Sequence, residues 1–189
     1  NLIPSSFAKT DGWEEYHLNR SVRVLELWQQ NEKLSYEKFK QIKFDKQLPA
    51  VLQYPYKLDS MFLLNETEYP ALASLIKTFK NWDHRGDVDS KGAAIFVLTY
   101  EHLKKQLQGQ SPRLITKQEA VETFTHVSNY MQTNFATTDL KLGDIQKLVR
   151  ADKELPLGGL PDQLSPQWTE PLINGKLKSV GGDGLIMFV

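Results

Sequence analysis

The sequence predicts a predominantly α-helical α+β fold, and three observations carry that reading. Apolar residues recur at helical spacing through most of the chain up to Phe135, glycine and proline crowd the last quarter, and short apolar runs there read as strands. With 189 residues and 40% apolar content the chain can bury one sizeable core. The expected organisation is a single domain or fragment over 1–189, mainly helical in 1–141 and built of loops and strands in 142–189.

From Trp13 to about Asn31, Tyr16, Val24, Leu27 and Trp28 keep helical spacing with Leu18, Val22 and Leu25 around them, which predicts a well-buried first helix. Ser35 stands at an N-cap position and Glu37 adds a carboxylate to the first turn. Phe39, Ile42 and Phe44 extend this into a short amphipathic helix ending before Pro49. Tyr54-Pro55-Tyr56 breaks the pattern, because the residue before proline is pushed out of the α region. From Thr67 to Trp82 the stripe Leu72, Leu75, Ile76 and Phe79 predicts another helix with Pro70 in its first turn, and Asp83 to Asp89 is a polar loop. Ser90 is placed to cap a helix running to about Leu107. That helix is apolar on both sides, with Phe96 and Tyr100 on one and Ile95 and Leu98 on the other, so it belongs at the centre of the core. Thr116 with Glu119 three residues on matches a capping box, and Ala120, Phe124, Val127, Met131 and Phe135 trace the helix behind it. In the last quarter, Asn174-Gly175 between Leu172-Ile173 and Leu177 reads as a hairpin turn, and Leu185 to Val189 as a buried strand.

Composition excludes several function classes. Lys plus Arg and Asp plus Glu are both 23, so a global electrostatic footprint for nucleic acid or an acidic membrane is absent and neither partner is expected. With no cysteine, disulfide frameworks, thiolate nucleophiles and cysteine-based metal sites are ruled out together. The longest apolar stretch, Ala93 to Leu98, is far short of the roughly 20 residues a membrane helix needs. The chain begins without Met or a signal-like prefix and stops inside the apolar run Leu185 to Val189, which predicts a piece of a longer protein.

The motifs that carry chemistry are mostly turned away by their details. Asp83, His84, Asp87 and Asp89 lie close together, and Asp87-Val88-Asp89-Ser90-Lys91-Gly92 has the glycine of a calcium loop. Lys91 then occupies a ligand position and Leu98 stands where the bidentate Glu belongs, so a solvated loop and helix cap is expected and no metal. A metal-dependent hydrolase on this cluster stays as a third, subordinate reading. His17, His84, His102 and His126 show no short ligand spacing and read as surface or core side chains. Leu157-Gly158-Gly159 and Gly181-Gly182-Asp183-Gly184 lack phosphate-loop spacing and read as turns or bulges, and no Gly-x-Ser-x-Gly elbow occurs. The residues alone describe a helix-rich domain with a small β tail and no self-contained catalytic set.

Several segments, in collinear order, resemble the β-chain of the penicillin acylase family. They are Asn19-Arg20-Ser21-Val22-Arg23-Val24-Leu25-Glu26-Leu27, Leu34 to Ile42 with Asp45, Asn81-Trp82-Asp83 through Asp89-Ser90 to Gly92-Ala93-Ala94, Leu142-Gly143-Asp144-Ile145-Gln146, and Asp152 to Gly159 followed by Val180-Gly181-Gly182-Asp183. The resemblance covers nearly the whole chain and places it in the C-terminal part of that β-chain. It implies an N-terminal-nucleophile hydrolase, made as a self-cleaving precursor, in which a Ser at the start of the β-chain attacks an amide carbonyl and its own α-amino group is the general base. The short C-terminal strands would then join an αββα sandwich, and this piece alone, lacking the nucleophile, would be inactive.

The same resemblance points to two site residues. Asn1-Leu2-Ile3-Pro4 matches the stretch whose Asn amide completes the oxyanion hole, which makes Asn1 a candidate donor, with an irregular loop start as its alternative. Arg20 matches an Arg near the catalytic centre, able to hold the active-site network or bind a substrate carbonyl or carboxylate. Its alternative is a helix-surface ion pair with Glu14, Glu15 or Glu26. Implied partners are the upstream remainder of the β-chain, the α-chain of the same precursor and a small-molecule N-acyl substrate, with no cofactor. Family habit implies a bacterial periplasmic or secreted location. Gly184, where relatives carry Ser or another side chain, and the absence of an Asn-rich flank are departures from the family pattern. The competing reading is a non-enzymatic helical scaffold or binding module.

Overall fold

The computed structural model describes residues 17–30, 33–53, 56–106, 113–172, 174–182 and 187. The expected strand at 185–189, Asn1 and the first part of the predicted 13–31 helix lie outside these residues.

Helix α1 (Asn19–Gln29) begins after Leu18 in extended backbone, and α2 (Tyr36–Lys43) is capped by Ser35, whose Oγ accepts the Lys38 N–H at 3.1 Å. The first helix differs from expectation. It is half-buried at most, with only Asn19 buried and with Leu25 and Trp28 exposed, because an apolar stripe selects a face but does not supply the element that covers it. Strand β1 (Tyr56–Lys57) and α3 (Asp59–Phe62) lead to a 3₁₀ turn at Pro70–Leu72 and α4 (Ala73–Lys80).

Helix α5 (Lys91–Gln106) runs through the centre. Its residues from Gly92 to Tyr100 are all buried, and Ser90 Oγ accepts the Ala93 N–H at 3.1 Å as expected. Against it pack α4, through Leu75, Ile76 and Phe79, and α6 (Lys117–Phe135), through Ala120, Phe124, Val127 and Met131. Phe79 joins these layers, stacked on Phe62 with ring centroids 4.6 Å apart and edge-on to Phe124 at 5.4 Å. The Thr116–Glu119 capping box forms with both reciprocal bonds. Strand β2 (Arg113–Leu114), just before α6, pairs parallel with β1.

After the short helix α7 (Leu142–Ile145), β3 (Gln146–Arg150), β4 (Lys153–Pro156), β5 (Gln167–Pro171) and β6 (Leu177–Gly182) form a four-stranded sheet in the order β4-β3-β6-β5. The β3–β6 pair is parallel and the other two are antiparallel. Asn174-Gly175 does make the predicted turn between β5 and β6. Gly175 adopts φ +76°, and a Cβ there would collide with Asn134, so glycine is required on two counts. The fold is thus mixed α and β with small sheets, and helices give way to strands where the glycines and prolines begin.

Candidate functional site

Arg20 lies in the first turn of α1, and the structure gives it a partner that sequence spacing does not reveal. Asp162, in the loop between β4 and β5, is 1% exposed. One carboxylate oxygen accepts the Asn19 backbone N–H at 2.7 Å and the other accepts Arg20 Nε at 2.8 Å. The first turn of a helix leaves backbone N–H groups without intrahelical partners and carries the positive end of the helix dipole, so a carboxylate there is stabilised twice over. Burial pushes the Asp162 carboxyl above the ordinary carboxylate value, while the Asn19 N–H and the Arg20 guanidinium pull it back. Of the partners expected for Arg20 in its alternative reading, Glu14 and Glu15 lie outside the described residues and Glu26 pairs with Arg23; among the described residues Arg20 pairs with Asp162.

Two arginines three residues apart on α1 have opposite fates. Arg23, 13% exposed, spends all three guanidinium nitrogens: Nε on Asp45 at 2.5 Å, Nη1 on Glu26 at 3.0 Å and Nη2 on Gln47 at 3.1 Å. Burial works against its charge, but Asp45 and Glu26 outweigh that and hold its pKa above the ordinary value. Arg20 is 40% exposed and uses only Nε; among the described residues its Nη1 and Nη2 have no partner. The first is a structural pin and the second presents an open guanidinium fork.

The loop that carries Asp162 is fixed from several directions. Gly159, at φ +103°, donates its N–H to the Gly86 carbonyl at 2.7 Å, and buried Gln146 donates Nε2 to the carbonyls of Leu157, Gly158 and Gly159. Lys43 Nζ reaches the Leu164 carbonyl, and Ser165 Oγ donates to the Lys43 carbonyl at 3.1 Å, which ties the loop to α2. Asn19 itself is buried and its Oδ1 accepts the Gln53 N–H at 2.7 Å. Asp162 sits at φ +57°, a left-handed conformation that Asp tolerates better than most residues. The only sequence hint of this residue is the turn-forming dipeptide Pro161-Asp162.

The other candidates resolve differently. Asp87 pairs with Arg85 at 2.8 Å and with Lys46, Asp89 pairs with Lys141 at 3.0 Å, and Asp83 Oδ1 accepts the Arg85 N–H, so the acidic loop is a set of separate ion pairs and caps. Among the described residues no group of three or more His, Asp or Glu side chains could hold a metal ion. The structure does bring two histidines together. His102 of α5 and His126 of α6 stack face to face, centroids 3.9 Å apart, in a cavity of about 140 Å³ that Glu101, Lys105 and Tyr130 also line.

A family model now bears on this geometry. The penicillin amidase family matches residues 3–171, a span that includes Arg20, Arg23 and Asp162. The chain belongs to the penicillin amidase family. No curated protein matches it. Membership in the penicillin amidase family implies amidohydrolase-type activity for the full protein.

Proposed function

We propose that this chain is the C-terminal portion of the β-chain of an N-terminal-nucleophile amidohydrolase, one that hydrolyses an N-acyl amide bond of the β-lactam side-chain, acyl-homoserine lactone or lipopeptide type. One observation supports the reading: in a chain that belongs to the penicillin amidase family, Arg20 in the first turn of α1 keeps Nη1 and Nη2 open among the described residues. The nucleophilic Ser would be supplied by an upstream segment. Its Oγ attacks the amide carbonyl while its α-amino group takes the proton and passes it to the amine that departs as the C–N bond breaks, and water then releases the acyl group as a carboxylic acid from the ester so formed. Arg20 offers two parallel N–H donors to a substrate carbonyl or carboxylate, or to the hydrogen-bond network around the nucleophile. Asn1, outside the described residues, would add a side-chain amide to the oxyanion hole.

The upstream part of the β-chain and the α-chain are the proposed partners. Leu25 and Trp28 on α1 and Leu155 and Val180 on the sheet are exposed apolar side chains of the kind such partners cover, and the sheet would extend into an αββα sandwich. A periplasmic or secreted location completes the proposal.

The test is hydrolysis of a panel of p-nitroanilides, of phenylacetic, glutaric, octanoic and dodecanoic acids, by the full-length gene product and its Arg20→Ala variant. We expect at least one anilide to be cleaved and Arg20→Ala to lower its kcat/KM on the order of a hundredfold. Cleavage of none, or full activity in the variant, would contradict the reading.

A further inference from the structure

Asp162 is built to hold one thing still. Its two oxygens are committed to consecutive residues of one helix, Oδ2 to the Asn19 backbone N–H and Oδ1 to Arg20 Nε. The first contact anchors the carboxylate to backbone that cannot swing. The second is therefore a hydrogen bond to an acceptor fixed in position and direction. A guanidinium is planar, so a fixed partner on Nε sets the plane and the direction of the whole fork. A carboxylate gripping Nη1 and Nη2 would have consumed the fork; one on Nε leaves both free.

We propose that Asp162 is the positioning residue of Arg20: it locks the guanidinium in the orientation in which Nη1 and Nη2 face one carbonyl or carboxylate of the bound N-acyl substrate. This rests on the proposed catalytic-centre role of Arg20. The surroundings fit the task. Asp162 is 1% exposed while the Arg20 side chain is 40% exposed, so the ion pair has a dry, held end and an open, presenting end. The left-handed backbone at Asp162 and the bonds from Gln146, Lys43 and Ser165 to its loop fix the held end further. A surface pair such as Lys141–Asp89, whose side chains are 52% and 77% exposed, has no comparable constraint. The competing role is purely structural, with Asp162 serving α1 as a helix cap through Asn19.

Double-mutant kinetics separate the two roles. The full-length gene product, Arg20→Ala, Asp162→Ala and the double variant are compared on the best-cleaved p-nitroanilide of the panel, with thermal midpoints measured alongside. Positioning predicts that Asp162→Ala lowers kcat/KM on the order of a hundredfold in the native background and by less than about threefold once Arg20 is gone, because a misplaced group costs little when it is already absent. It also predicts that guanidinium ion at millimolar concentration restores part of the activity of Arg20→Ala, where Asp162 remains to hold it, and none in the double variant. Should Asp162→Ala fail to fold, Asp162→Asn replaces it, since the amide keeps one acceptor for α1 and loses the charge that orients the guanidinium. An equal fold-loss in both backgrounds, or an unaffected Asp162 variant beside a crippled Arg20→Ala, would overturn the proposal alone. Unchanged activity in Arg20→Ala would instead remove the reading of Arg20, and the proposal with it.

Discussion

His102 and His126 face each other at stacking distance with Lys105 nearby, in a cavity also lined by Glu101, Tyr130 and the β5–β6 residues Pro171 and Leu177. Burial, then His126, then Lys105 push the His102 pKa down to about 4, and burial with Lys105 lowers that of His126. The unfolded chain binds a proton at His102 near the ordinary value of about 6.5, so between there and about pH 4 the folded state holds fewer protons. Stability from this group is complete above pH 6.5 and is lost as pH falls through that window. Burial raises the neighbouring Glu101, which acts in the opposite sense at the acid end, so the comparison that isolates the histidine is wild type against His102→Gln. The gap between their thermal midpoints should shift steadily in favour of the variant from pH 7 to pH 4. A pH-independent gap would contradict it. This pair was hidden in the sequence, since residues 24 positions apart meet only when α5 and α6 lie side by side. Asp162 was hidden in the same way, 142 positions from its partner Arg20.

At the scale of elements, what could be read was local chemistry. Ser35, Ser90 and Thr116 all cap the helices they precede, because each cap needs only a side chain and a backbone N–H two or three residues away. The β5–β6 turn was legible for the same reason. The β3–β4 hairpin was not, for its turn places Ala151 at φ +52° where an Asn-Gly signal would have marked it. The burial of α1 was misjudged because an apolar stripe does not say what lies opposite. Helix α6 ends on another left-handed alanine, Ala136 at φ +56°, whose N–H closes onto the Gln132 carbonyl. Glycine at that position relieves the Cβ clash. Ala136→Gly should therefore stabilise the protein by about 1 kcal/mol, seen as a higher urea midpoint with an unchanged slope; a lower midpoint would show that the left-handed turn costs nothing here.

At the scale of the molecule, α5 is the axis about which the rest is arranged. Its buried run from Gly92 to Tyr100 is apolar apart from Thr99, as the two-sided pattern in the sequence required, and α4, α6 and α7 all pack on it. The Arg20–Asp162 pair lies where α1 meets the loop leading into β5, so the proposed site is built from these two segments while the helical core would serve as scaffold. The proposed amidohydrolase reading assigns the nucleophile to a Ser supplied by an upstream segment. Its most direct test is intact-mass measurement and N-terminal sequencing of the protein purified from its source, together with any chain that copurifies. The account predicts a chain that contains this sequence and begins upstream at a Ser released by cleavage, accompanied by a second chain from the same precursor. A single uncleaved polypeptide with no such serine terminus would contradict it.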